Sequence, residues 1–157
     1  MDELEKFCYS TNFKKNYGVN NALVKRNASG TAPRMGLYGT TKVIQTQKIQ
    51  DTIFKKQNPD LGELLKRIAD EHFPDHIYTH VQINHNFRCL PHKDKKNVGD
   101  TYIFCLGVYD GGELVIEGDE YNIYKKPHCF NGNKLLHWTN EFNGERFAII
   151  YFNSLTV

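Results

Sequence analysis

Hydrophobic and polar positions along this chain follow two different periods, with the change near residue 76. Leu61, Leu64, Leu65, Ile68 and Phe73 recur at helical spacing, while Glu63, Lys66, Arg67 and Asp70 fall off that face. Asn58-Pro59-Asp60 precedes them, an Asn able to cap followed by a Pro that suits the first helical position, and Pro74 ends the run. The pattern predicts an amphipathic helix packing its apolar stripe on a sheet. Beyond it, 77–84 and 101–108 are rich in β-branched and aromatic residues. Further short strands are predicted at 113–117, 121–124, 134–138 and 146–152. Between them lie Asp110-Gly111-Gly112, Gly118-Asp119, Asn131-Gly132 and Asn143-Gly144, all turn signals. Short strands with turns at this spacing predict a mainly β chain with flanking helices. A double-stranded β-helix, the jelly roll of cupin type, fits best.

Residues 1–58 are less legible. Residues 12–18 interleave aromatic rings with lysines, as does the wider stretch through Lys25 and Arg26. Such a pattern suits stacking on bases and pairing with phosphates, and equally an ordinary amphipathic surface. Residues 27–33 read as a loop, 36–39 as a turn, 41–46 as a short strand and 48–56 as a helix. With no internal repeat or low-complexity linker, one domain spanning 1–157 is expected. Residues 1–76 would be its basic, helical support and 77–152 its jelly-roll core.

Composition narrows this picture. A chain of 157 residues with 13% aromatics is long enough for a real core and unlike a disordered segment. No apolar run approaches the length of a membrane span, and the acidic N-terminus is unlike a signal peptide, so a soluble, intracellular monomer is expected. Cys8, Cys89, Cys105 and Cys129 form no CxxC pair and are expected to be reduced thiols that pack as small apolar groups. The net charge of +2 hides an asymmetry: residues 1–58 hold ten Lys or Arg against four Asp or Glu, and the remainder ten against fourteen. The basic third suits a polyanion or a plain solvated surface.

The candidate chemistry centres on Pro91-His92-Lys93-Asp94. In an extended segment His92 and Asp94 point the same way and can ligate one ion. His137 is the candidate third ligand. Two His and one carboxylate leave open positions, as in non-haem Fe(II) oxygenases. Arg146 opens the last predicted strand, where a guanidinium can clamp a carboxylate through two parallel hydrogen bonds. Lys93, Lys95 and Lys96 flank the motif as a cationic lip for phosphates or a solvated loop.

The stretch 84–99, followed by Leu106-Gly107-Val108-Tyr109-Asp110-Gly111-Gly112-Glu113-Leu114, resembles the 2-oxoglutarate/Fe(II) dioxygenases. More narrowly it resembles their TET/JBP branch, which oxidises the methyl group of 5-methylpyrimidines in nucleic acid. That branch carries an Asn three residues after the metal-binding Asp, here Asn97. The run from His137-Trp138-Thr139 to Arg146 and the last strand is similar to its distal element. The resemblance spans roughly 77–152. It implies that His92, Asp94 and His137 hold Fe(II), that Arg146 binds the distal carboxylate of 2-oxoglutarate, and that Asn84 and Tyr102 contact this co-substrate. It implies that Asn97 contacts the target base, with DNA favoured over RNA. The cysteine-rich region and the large DNA-gripping inserts of TET proteins are absent from this sequence. Other readings stay open: the same chemistry on a protein side chain, a free nucleotide or a small metabolite, or a cupin-like module that binds metal or nucleic acid without turnover.

Overall fold

The computed structural model describes residues 1–15, 24–25 and 32–155. Most of the interleaved stretch 12–26 and most of the 27–33 loop lie outside the described residues. In chain order the elements are α1 (Asp2–Ser10), β1 (Lys14–Lys15), β2 (Val24–Lys25), β3 (Arg34–Tyr38), β4 (Thr40–Lys42), β5 (Ile49–Asp51), α2 (Ile53–Gln57) and α3 (Leu61–His72). They continue with β6 (His80–His85), β7 (Arg88–Cys89), β8 (Thr101–Leu106), β9 (Tyr109–Gly111), β10 (Leu114–Ile116) and β11 (Asp119–Tyr121). The last are β12 (His128–Phe130), β13 (His137–Thr139), β14 (Phe142–Gly144) and β15 (Phe147–Phe152).

The chain is mainly β. Its principal sheet has six strands in the order β1-β3-β6-β15-β8-β12, all antiparallel to their neighbours. It therefore draws strands from both sides of residue 77. A three-stranded sheet, β11-β10-β13, forms a second element, with two-stranded pairs β14-β9, β2-β7 and β4-β5.

Alternation along the central strands decides what each face of the main sheet meets. Val81 and Ile83 of β6, Phe104 and Leu106 of β8, and Phe147, Ile149 and Tyr151 of β15 share one face. They pack with Leu4 and Cys8 of α1 and Leu61, Leu65, Ile68 and Ala69 of α3. Each fully buried apolar side chain there contributes about 1.5–3 kcal/mol. The Tyr151 hydroxyl donates to the Leu65 carbonyl at 2.7 Å and ties α3 to the sheet. On the other face Ile103, Cys105 and Ala148 join Leu114, Ile116, Ile123 and Phe130 in a smaller cluster.

The α3 helix matches its periodicity but starts at Leu61, with Asp60 as cap residue. The helix expected over 48–56 is divided. Residues 49–51 pair with β4, and Thr52 then starts α2 by accepting the Lys55 N–H on its hydroxyl. Residues 36–39, expected as a turn, instead supply most of β3. Gly36 lies against the Phe54 ring, where a Cβ would come within 2.7 Å, so the glycine serves packing rather than a turn.

Candidate metal centre

The main sheet and the β11-β10-β13 sheet flank a cavity of about 330 Å³. Its floor carries Gln82, Asn84, Ile103, Ala148 and Ile150; His92, Asp94, Asn97, His137 and Arg146 also line it.

His92 and Asp94 lie on the segment after β7, and His137 opens β13. The two segments meet in an isolated antiparallel bridge, with His92 N–H donating to the His137 carbonyl at 3.0 Å and His137 N–H returning to the His92 carbonyl at 3.1 Å. The potential ligand atoms of His92, Asp94 and His137 lie within 4.8 Å of one another, the one such group of three among the described residues. Asp94 Oδ1 is 3.3 Å from His92 Nε2, and Oδ2 is 3.1 Å from His137 Nε2.

Both rings are oriented from behind. Nδ1 of His92 is 2.6 Å from the Leu90 carbonyl, and Nδ1 of His137 is 2.8 Å from the Leu135 carbonyl. A carbonyl only accepts, so each Nδ1 carries the proton and each Nε2 is turned toward Asp94 as a ligand. Burial pushes the Asp94 carboxyl up, but the hydrogen bonds from His137 and His92 outweigh it and hold the group below the ordinary carboxylate value. Burial likewise pulls His92 down, and its bonds to Asp94 and Leu90 carry it above the usual imidazole value. The Asp94 carboxylate is thus held ionised between the two rings, where its charge favours a cation.

Two further residues shape this centre. Gly132 offers its carbonyl to the Asp94 N–H at 2.8 Å, and a Cβ on it would lie 2.8 Å from Asp94 Oδ2. The Phe130 ring meets His137 edge-on with centroids 4.9 Å apart.

Arg146 precedes β15 and is 2% exposed. Its Nε–H donates to the Gly112 carbonyl at 3.2 Å, and its guanidinium lies over the Phe142 and Tyr109 rings. Nη2 is buried and has no hydrogen-bond partner among the described residues. A buried donor without a partner among these residues is costly, and it is open to an acceptor that enters the cavity. A carboxylate would satisfy it, which fits 2-oxoglutarate, and two His with one carboxylate are a donor set that fits Fe(II). Gly112 adopts φ +69°, and a Cβ there would meet the Arg146 side chain at 3.0 Å.

Asn84 is buried on the floor, its Oδ1 accepting from Gln82 Nε2 at 2.7 Å. Asn97 lines the cavity and also serves the turn, its N–H donating to the Asp94 carbonyl at 3.1 Å. Tyr102 is the correction. Its neighbours Thr101 and Ile103 face the cavity, so strand alternation turns Tyr102 to the helix side, stacked on Phe73 with centroids 4.5 Å apart. It does not line this cavity. Lys93, Lys95 and Lys96 are exposed around the ligands. Gly112 and Gly132 read as turn residues in the sequence, and no local signal singles out Asn86, which bonds Arg146.

No protein-family model and no curated protein matches the chain. Solved structures do. The chain is similar to an oxidoreductase of the 2OG-Fe(II) oxygenase family from Burkholderia pseudomallei, with a TM-score of 0.59 and 16% identity over 98% of this chain and 78% of that one. The fold is that of the 2OG-Fe(II) oxygenases. OsALKBH1 shares it with a TM-score of 0.55 and 10% identity, over 96% of this chain and 90% of that one. NgTET1 in complex with 5mC DNA does so with a TM-score of 0.57 and 17% identity over 77% of this chain. The chain spans 61% of that NgTET1 chain. No described helix is long and apolar enough to cross a membrane.

Proposed function

We propose that this protein is an Fe(II)- and 2-oxoglutarate-dependent dioxygenase that oxidises a C–H bond, and that its substrate is the methyl group of a 5-methylpyrimidine in nucleic acid. The observation that carries the chemistry is the unpaired, buried Nη2 of Arg146 on the cavity that also holds His92, Asp94 and His137. The two histidines and Asp94 would hold the metal, and Arg146 would hold the far carboxylate of 2-oxoglutarate in a two-pronged hydrogen bond. When bound, iron and 2-oxoglutarate supply the activation of dioxygen, with succinate and carbon dioxide as by-products.

The chain's own residues bind and orient. Nδ1–H bonds to Leu90 and Leu135 keep both imidazoles turned toward Asp94. Ile103, Ala148, Ile150 and Phe152 keep the cavity apolar and exclude water near the reacting group. We read the main sheet and its partner as the two halves of a jelly roll in a single, monomeric domain.

A nucleic-acid substrate is supported by the exposed Lys93, Lys95 and Lys96 beside the ligands, and by the likeness to a structure holding 5mC DNA. Asn97 would read the edge of a base that is extruded or already unpaired. The test is succinate release from 2-oxoglutarate with Fe(II), ascorbate and oxygen, comparing methylated, unmodified and thymine-rich DNA with no substrate, and His92→Ala as control. Turnover stimulated by one methylated DNA and lost in the variant is expected. Triad-dependent turnover indifferent to every DNA would keep the oxygenase and move the substrate to a side chain, free nucleotide or metabolite. Metal binding without any turnover would favour a binding module.

A further inference from the structure

We infer that Asn86 is the positioning residue for Arg146 and thereby sets the affinity of the cavity for a dicarboxylate co-substrate; the inference rests on the dioxygenase reading above. Strand β6 ends at His85, which pairs with Phe147 of β15. At Asn86 the chain leaves the sheet through φ 58°, in the left-handed region that disfavours a side chain. Asn86 is nonetheless fully buried. A buried polar side chain must find its partners inside the protein, so its bonds say what it serves.

The Asn86 N–H donates to the Arg146 carbonyl at 2.8 Å, and its Oδ1 accepts the Arg146 N–H at 2.9 Å. The side chain thus replaces the next rung of a ladder whose backbone has already turned away. Asn86 Nδ2 also donates to Glu145 Oε2 at 3.1 Å, and the same oxygen partners Nε2 of His85. The His85 ring stacks on Phe147 with centroids 4.4 Å apart and planes 14° from parallel. Arg146 is therefore gripped at both backbone groups by Asn86, while its neighbours Glu145 and Phe147 are held by Asn86 and His85.

The arginine's own side chain makes one hydrogen bond among the described residues, from Nε to Gly112. That bond and the Phe142 and Tyr109 rings steer the guanidinium, while the backbone that Asn86 grips fixes where the side chain starts. Two-pronged recognition of a carboxylate tolerates little displacement, so a shift of Arg146 weakens that ligand while sparing the metal ligands on other segments.

The test is Asn86→Gly, which keeps the left-handed backbone without strain and deletes the amide. Calorimetry measures 2-oxoglutarate binding to the Mn(II)-loaded protein, Mn(II) binding itself, and the thermal midpoint. The dissociation constant for 2-oxoglutarate is expected to rise roughly tenfold, equivalent to about 1.4 kcal/mol, with that for Mn(II) within about twofold. An unchanged 2-oxoglutarate affinity, or equal weakening of both ligands, overturns the inference. Wild-type protein that binds Mn(II) but not 2-oxoglutarate overturns the dioxygenase reading, and the inference with it, before any variant is compared. Should Asn86→Gly fail to fold, Glu145→Ala decides. It removes the acceptor of Asn86 Nδ2 at a partly exposed position, and roughly threefold weaker 2-oxoglutarate binding with intact Mn(II) binding is expected. No change overturns the inference.

Discussion

His92 and His137 are separated by 45 positions in sequence, yet their ring centroids lie 4.4 Å apart, held by a reciprocal pair of backbone hydrogen bonds. The bridge fixes the spacing of the two imidazoles through the backbone, before any ion enters. Asp94 then closes the triangle.

Truncating any corner of that triangle is expected to abolish tight divalent binding. Saturating Mn(II) at about 100 times its dissociation constant stabilises a binding-competent protein by about 2.7 kcal/mol. Thermal melts with and without Mn(II) are expected to show this stabilisation in wild type and none in His137→Ala. Gly132→Ala tests the Asp94 approach separately. A methyl 2.8 Å from Oδ2 forces the carboxylate to move, and Mn(II) affinity is expected to fall about tenfold or more.

Arg146→Lys retains the charge and loses the fork. A lysine cannot make two parallel bonds to one carboxylate, so KM for 2-oxoglutarate is expected to rise by about 10- to 100-fold. Steady-state succinate release across 2-oxoglutarate concentrations measures this, and Mn(II) binding by calorimetry stays unaltered. An unchanged KM would remove Arg146 from the co-substrate site.

Tyr102 behaves as a packing residue. Its ring stacks on Phe73 and packs against the helix-side core. Tyr102→Phe is expected to leave 2-oxoglutarate affinity untouched, whereas Tyr102→Ala lowers unfolding free energy by about 1–3 kcal/mol, below the range for a fully buried aromatic. Urea denaturation reads the second effect and calorimetry the first.

Thiol reactivity follows burial. Burial between α1 and the main sheet is the main cause that pushes the Cys8 thiol from 9.0 up to about 12, with the Glu5 carboxylate adding to it. Cys129 is exposed. A thiol reagent at pH 8 is expected to label Cys129 in the native protein, and Cys8 only on unfolding. The same shift has a sign for stability. The folded thiol keeps its proton above pH 9 while the unfolded one ionises, so the contribution of Cys8 is whole below about pH 9 and is lost as pH climbs toward 12. Melts between pH 8 and 10.5 should show the midpoint falling, and less so in Cys8→Ala.

Lys93, Lys95 and Lys96 predict salt-dependent binding of DNA. Replacing each lysine by Ala should lower the slope of log affinity against log salt by about one for every phosphate it neutralises. Fluorescence anisotropy over a salt series measures it, and a slope unchanged in the triple variant would exclude the lip from phosphate binding.

Local pattern carried much of this protein. The spacing of Leu61, Leu65 and Ile68 is the buried stripe of α3, because a 3.6-residue period depends only on neighbours along one helix. Strand signals at 77–84, 101–108 and 146–152 became the three central strands of the main sheet, since paired strands buried on both faces need a run of β-branched and aromatic residues. His92, Asp94, His137 and Arg146 could be picked out as candidates from their residue types and order, and the fold brings them to one cavity.

Other features were decided by tertiary structure. Tyr102 looked inward until pairing with β15 and β12 fixed which face of β8 meets the helices, and a strand's period of two cannot say which face that is. Gly36 read as a turn because its need is the Phe54 ring, 18 residues away. Asn86 carries no local mark, since its left-handed backbone is stabilised by Arg146 and Glu145, about 60 positions along the chain. Sequence alone determined which residues are candidates for the chemistry and the period of the elements that carry them. The meeting of His92 with His137, the approach of Gly132 to Asp94 and the grip of Asn86 on Arg146 were decided by the fold, because each joins chain segments that only the closing of the two layers brings within hydrogen-bond range.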